Sequence, residues 1–261
     1  MNRLRATAAT GAAVLALVAG GSTAHAVAAP EQPRGEGAAR TVRIGGGSGI
    51  VFGKGKPVPA QGATWCTMTT IGHDKAGDLV GLTNAHCFYG DDNKPVLGDK
   101  IYYNKAPAGT AAQPAKTSET DLETGVIGEV VHVSGSNPVG SPTNPGLDYS
   151  VIRFDKSKVV PTATVGGITI AGIGTPPTPG TRMCKQGQTT GLTCGFMVST
   201  SGPYFAHTIW EGPGDSGSPV VLDNKLIGNQ WAAGLSTSMT AILADMNKRG
   251  EAGAGFTPVA P

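Results

Sequence analysis

From Ile44 onward the chain is divided into short apolar runs of strand length, each closed by Gly, Pro, Asn or Asp, and only one stretch carries a helical period. A first group comprises Gly49 to Phe52, Trp65 to Ile71, Leu79 to Thr83, Lys100 to Tyr103, Val126 to Val133 and Tyr149 to Phe154. A second comprises Ile168 to Ile173, Gly195 to Ser199, His207 to Trp210, Ser218 to Leu222, Lys225 to Gln230 and Leu235 to Thr240. With 40 Gly and 19 Pro breaking up any longer element, the pattern predicts an all-β protein. Two groups of about six strands fit two barrels, with residues 44–157 and 158–252 as their expected extents. The exception is Ala241 to Lys248, which places Ile242, Leu243 and Met246 on one face and meets Gly250 as a stop.

The ends read differently. Met1 to Arg5 is basic, Ala12 to Ala19 is a short apolar run, and Ala24-His25-Ala26 has small residues at cleavage spacing, so residues 1–26 are expected to be a signal peptide cut after Ala26. The apolar run is too short to span a bilayer, and no membrane association is expected. Residues 27–43, with Pro30, Pro33, Gly35 and Gly37, read as a leader that builds no core, and residues 253–261 as a loosely held tail. A formal net charge of +2 without a basic block leaves nucleic-acid binding nothing to rest on.

Cys66, Cys87, Cys184 and Cys194 all lie in the part expected to be exported and allow three pairings. Spacing favours Cys66 with Cys87 and Cys184 with Cys194, each bridge contributing on the order of 3 kcal/mol by restricting the unfolded chain.

Three segments carry chemistry. Gly212-Pro213-Gly214-Asp215-Ser216-Gly217-Ser218 sets a serine in a tight turn before an apolar run; Leu82-Thr83-Asn84-Ala85-His86-Cys87 offers an imidazole; Gly146-Leu147-Asp148-Tyr149 offers a carboxylate. A serine hydroxyl becomes nucleophilic when an imidazole takes its proton and a carboxylate holds the other ring N–H, the roles expected of Ser216, His86 and Asp148. Their order separates three serine triads that share this geometry. An α/β-hydrolase needs a histidine after the serine, and the last one here is His207. The subtilisin order needs an aspartate before the histidine, and Asp74 and Asp78 both lie in a polar turn. Gly214, lacking a β-carbon, is expected to share an oxyanion hole with the Ser216 N–H, at roughly 3 kcal/mol per donor.

With these residues the chain resembles the trypsin-like (chymotrypsin family) serine proteases, from about Ile44 to Gly250. The segment Cys184-Lys185-Gln186-Gly187-Gln188-Thr189-Thr190-Gly191-Leu192-Thr193-Cys194-Gly195 resembles its bacterial streptogrisin and α-lytic protease branch. The resemblance implies two six-stranded antiparallel β-barrels with a short C-terminal helix, and a secreted endopeptidase working through an acyl-enzyme. It also implies a cation for Asp215. Arg43-Ile44-Gly45-Gly46 resembles an activation site that would supply a new terminus, but Lys185 stands where the bacterial branch keeps a basic residue, and a Lys185–Asp215 pair is the favoured reading. The substrate pocket is expected from Thr208, Ile209, Gln230, Trp231 and Ala233, with Glu211 at its rim and uncharged side chains preferred before the cleaved bond. Two departures stand out. Trp210 replaces the first cysteine of a further bridge, and Trp231 falls where the family keeps a small serine beside the aspartate.

Polypeptide substrates, protein protease inhibitors as partners, a monomeric state and no cofactor follow from the same resemblance. No metal is expected: Asp91-Asp92-Asn93 with Asp99 lacks the closing carboxylate of a calcium loop, and His73 and His132 have no ligand spacing. The competing reading is a secreted binding protein that retains the fold without turnover.

Overall fold

The computed structural model describes residues 40–135, 146–232 and 234–261. The expected signal peptide, most of the expected leader and pocket residue Ala233 lie outside them. The strands in chain order begin with β1 (Val42–Ile44), β2 (Gly49–Phe52), β3 (Thr64–Thr67), β4 (Thr70–His73), β5 (Leu79–Thr83), β6 (Lys100–Tyr103), β7 (Gly128–Val133), β8 (Ser150–Phe154) and β9 (Val159–Pro161). They continue with β10 (Thr164–Val165), β11 (Ile168–Thr169), β12 (Gly172–Ile173), β13 (Arg182–Gly187), β14 (Gly191–Ser201), β15 (Tyr204–His207), β16 (Pro219–Leu222), β17 (Lys225–Ala232) and β18 (Leu235–Ser238). Helix α1 (Met239–Arg249) and β19 (Thr257–Pro258) complete the chain.

The first sheet runs β19-β4-β5-β8-β7-β6-β2-β3. β3 and β4 are two halves of one bent run: the Met68 N–H donates to Ser48 O at 2.8 Å while the Thr69 N–H donates to Leu82 O at 2.7 Å. That bend brings the two ends of the sheet together as a six-stranded barrel, with β19 added outside. The second sheet, β12-β17-β16-β13-β14-β15-β18, closes through a β17–β18 pairing into another six-stranded barrel, with β12 appended in parallel. The expected double barrel and its C-terminal helix are therefore both present.

Period-two alternation divides the apolar residues between cores. Along β8, Ile152 and Phe154 enter the interior of the first barrel while Val151 faces a second cluster with Ile168, Val221, Leu226 and the helix. Both faces of β5 are likewise covered, which is why Leu79 to Thr83 has no exposed position. Met183, Met197, Phe205, Ile209, Val220 and Ile227 fill the second barrel. On α1, Met239, Ile242 and Met246 share the buried face. Gly250 ends the helix in the left-handed conformation, φ 70°, its N–H bonded to Met246 O.

Several expectations are corrected. The strand expected at His207 to Trp210 lies at Tyr204–His207, and Ile168 to Ile173 breaks into β11 and β12 instead of forming one barrel strand. The missing barrel strand is β13, whose Lys185 and Gln186 are buried polar residues that mask a strand in the sequence. The expectation that residues 27–43 build no core is corrected at their described end, where Val42 is buried and β1 pairs in parallel with β9. Nor is the tail loose: β19 pairs with β4, where Gly72 leaves room for the Thr257 backbone, and Phe256 is buried in the inter-barrel cluster.

Candidate active site

His86 opens a single 3₁₀ turn after β5, and the disulfide from Cys87 to Cys66 ties that turn to β3. Asp148 precedes β8 with φ 49°, a left-handed backbone that a non-glycine residue holds only when its surroundings enforce it. Two asparagines enforce it here. The Asn84 and Asn229 side-chain amides both donate to Asp148 O, at 2.9 and 3.2 Å, and Asn84 Nδ2 also donates to Asn229 Oδ1 at 2.9 Å. The carboxylate is fully buried. Its Oδ1 accepts the His86 backbone N–H at 2.8 Å and its Oδ2 accepts the His86 Nδ1–H at 2.7 Å.

With that proton on Nδ1, His86 Nε2 is an acceptor, and the Ser216 hydroxyl donates to it at 2.8 Å. The structure thus joins three residues that lie 62 and 130 positions apart. The imidazole retains 34% side-chain exposure while Asp148 has none, so solvent reaches the pair through the imidazole alone.

The turn that carries Ser216 is held from both barrels. The Thr67 N–H donates to Ser216 O and the Thr67 hydroxyl to Gly214 O, each at 2.8 Å, and the Gly217 N–H donates to Gln230 O at 2.8 Å. Gly214 has φ 96°, and a β-carbon there would overlap the Trp65 indole nitrogen and the Thr189 hydroxyl. The Gly214 and Ser216 N–H groups donate to no other group among the described residues, which leaves both available to an oxyanion.

Asp215 points away from the cleft into a closed polar nest. Its Oδ1 accepts the Thr189 and Thr190 N–H groups at 2.8 and 3.1 Å; its Oδ2 accepts the Gly212 N–H at 3.0 Å, the Thr190 hydroxyl at 2.5 Å and Lys185 Nζ at 3.0 Å. Lys185 also donates to the Thr190 hydroxyl at 2.6 Å and to Gly191 O at 3.2 Å, so all three ammonium donors are used. Burial lowers the Lys185 pKa, with Asp215 acting in the opposite sense. Ile44, the other candidate source of a cation, lies in β1 within the first barrel's core.

The expected pocket residues are placed less uniformly. Ile209 belongs to the core of the second barrel, Gln230 and Trp231 are buried, and Thr208 is exposed, its hydroxyl accepting the Phe196 N–H at 2.9 Å. The cleft that holds Ser216, His86 and Gly214, about 420 Å³, is lined by none of them but by Trp65, the Cys66–Cys87 bridge, Pro213 and Lys54. Trp231 packs edge-on against Tyr204, whose hydroxyl donates to Gly146 O at 3.1 Å, two residues before Asp148. Glu211 is raised to about 7 by burial and then by Asp215, with Lys185 and His86 opposing. His207 is lowered to about 4, chiefly by burial.

Sequence reasoning missed Asn84, Asn229, Thr67 and Thr190 as positioning residues. Asn84 and Thr190 sit inside segments already singled out, but no periodicity or spacing marks an asparagine 145 positions away as its partner.

The chain matches the trypsin-like peptidase domain over residues 66–228, more than half its length. No curated protein matches it in sequence. Among solved structures it is similar to Thermobifida fusca protease A, with a TM-score of 0.54 and 18% identity over 84% of this chain and 100% of that one. Cellulomonas bogoriensis chymotrypsin gives 0.51 and 20% over 84% and 100%, and Nocardiopsis protease 0.50 and 18% over 78% and 96%. At such identity the neighbours bear on the fold, which is the double barrel described above. Together with the domain match, they establish that the chain belongs to the trypsin-like peptidase family.

Proposed function

We propose that the protein is a secreted serine endopeptidase that hydrolyses polypeptides through His86, Asp148 and Ser216 and an acyl-enzyme intermediate. The observation that carries this is one imidazole bonded at 2.7 Å to a buried carboxylate and at 2.8 Å to a serine hydroxyl. Ser216 Oγ attacks the scissile carbonyl carbon as its proton passes to His86 Nε2, and the oxyanion takes the N–H groups of Gly214 and Ser216. Asp148 stabilises the imidazolium without taking its proton. His86 then protonates the leaving nitrogen, the C–N bond breaks, and the acyl group stays on Oγ. Water, deprotonated by Nε2, attacks the ester, and the returning proton restores the Ser216 hydroxyl as the acid leaves.

Export rests on the basic and apolar start of the chain and agrees with two disulfides. The protein is read as a monomer that needs no cofactor and is open to protein inhibitors that occupy the same cleft. The test is labelling with a fluorophosphonate probe alongside a peptide-library assay. Covalent labelling at Ser216, abolished by Ser216→Ala and accompanied by peptide cleavage, is expected; a folded protein that neither labels nor cleaves overturns the proposal in favour of a binding role.

A further inference from the structure

The cleft beside Ser216 has a direction. His86 must reach the leaving nitrogen, so the leaving half of a bound peptide passes over the His86 side of the cleft, whose lining includes the Cys66–Cys87 bridge, Trp65 and Lys54. Trp65 is held still, because its Nε1–H donates to the Thr189 hydroxyl at 3.2 Å and that hydroxyl donates to Pro213 O at 2.7 Å. Its ring is thereby linked to the turn that carries the nucleophile, and it offers a fixed apolar wall.

Lys54 lines the same cleft. Its backbone has φ 52°, and buried Asp99 holds it there by accepting the Lys54 and Gly55 N–H groups at 2.7 and 3.2 Å. Those bonds occupy both oxygens of Asp99. The next carboxylate, Asp91, is paired with Lys56 at 2.7 Å. Lys54 is half-buried and makes no direct ion pair among the described residues, although the Asp91 and Asp99 carboxylates lie near enough to favour its charged form. A lysine in the wall of a peptide cleft, on a backbone held by Asp99 and without a direct ion pair, is complementary to an anion supplied by the ligand.

We propose that Lys54 selects polypeptides carrying a carboxylate on the leaving-group side of the cleaved bond, beyond a residue whose apolar side chain lies against Trp65. The inference rests on the endopeptidase reading and deepens it. The carboxylate has two sources, an internal Asp or Glu or the free C-terminus of a short leaving peptide.

The experiment uses quenched peptides that share one acyl half and an aromatic residue after the cleaved bond. One arm then carries an internal Glu with an amidated end, a second a free C-terminal carboxylate, and a third Gln with an amidated end. The full protein is expected to show kcat/KM about three- to fivefold higher for at least one carboxylate arm than for the neutral arm, the size of a partly screened ion pair. The favoured arm identifies the source. In Lys54→Met the ratio falls to about one, and in Lys54→Glu it inverts. The same peptides titrated into Ser216→Ala protein, read by tryptophan fluorescence, give a binding ratio that needs no turnover. Equal binding and turnover of all three arms, or a preference that survives Lys54→Met, overturns the inference. Failure of Ser216 to take the fluorophosphonate falls on the catalytic reading, whereas intact labelling without discrimination falls on Lys54 alone.

Discussion

Lys185 Nζ lies 3.0 Å from Asp215 Oδ2 with both side chains closed off from solvent. A buried pair of this kind is costly to form and far costlier to break, because removing one partner strands the other charge. Lys185→Met is therefore expected to lose about 3 to 5 kcal/mol of stability and most activity. Protein beginning at Val27 with Arg43→Gln, which blocks a new terminus at Ile44, is expected to remain active. Urea titration and peptide hydrolysis on both proteins check this, and the reverse pattern would return the supporting role to Ile44.

Asp148→Asn should lower turnover by roughly 10⁴-fold, since an amide donating to the ring favours the tautomer with its proton on Nε2, where the Ser216 hydroxyl needs an acceptor. The fold should persist, because Asn84 and Asn229 bind the main-chain oxygen of residue 148 and not its carboxylate. Steady-state kinetics with circular dichroism on one preparation separates the two effects.

Gly214→Ala is expected to reduce kcat on the order of 10² to 10³-fold, comparable to loss of one oxyanion donor. Two causes combine: φ 96° is unfavourable for alanine, and its methyl group would overlap Trp65 and Thr189. Rescue by the double variant Gly214→Ala with Trp65→Phe should be partial, because the backbone strain remains. Full recovery of kcat in that variant would show that the steric overlap alone was responsible.

Glu211 and His207 pull the pH dependence of stability in opposite directions. Glu211 is raised from 4.5 to about 7, so the folded state binds the extra proton; its contribution is full below pH 4.5 and is lost as pH rises to 7. His207 is lowered from 6.5 to about 4, so the unfolded state binds the extra proton; its contribution is full above pH 6.5 and is lost as pH falls to 4. Between pH 4.5 and 6.5 the two slopes oppose. Glu211→Gln should unmask stability that rises with pH in that window, and His207→Gln stability that falls. Thermal melts at pH 4.5, 5.5 and 6.5 read both signs, and parallel curves for the two variants would contradict the assignment.

Much of this protein is legible in its residues taken in order. Strand-length runs broken by Gly and Pro specify a β protein, since each run is too short for a stable helix and the turn formers prevent its extension. Helix α1 is readable for the same local reason, from three apolar positions on one face and a glycine that tolerates φ 70°. The approach of His86, Asp148 and Ser216 is legible because their order fits one serine triad and not the others, and the Lys185–Asp215 contact through the resemblance, which puts a basic residue after the first cysteine of the Cys184 motif.

What only the tertiary structure decided involves groups that acquire meaning by proximity. Strand β13 escapes a hydrophobic pattern because its buried Lys185 and Gln186 are stabilised by partners from other segments, Asp215 and the Gly167 N–H. The tail appears loose until Gly72 admits the Thr257 backbone as an added strand. Asn84 and Asn229 are ordinary polar residues until the two barrels close and bring both amides onto one carbonyl in a left-handed turn. Lys54 is one lysine among many until Asp99 fixes its backbone and the fold sets the residue in the lining of the cleft that holds Ser216. Local sequence encodes periodicity and turn chemistry; it does not encode which distant polar groups the closing barrels leave paired or unpaired.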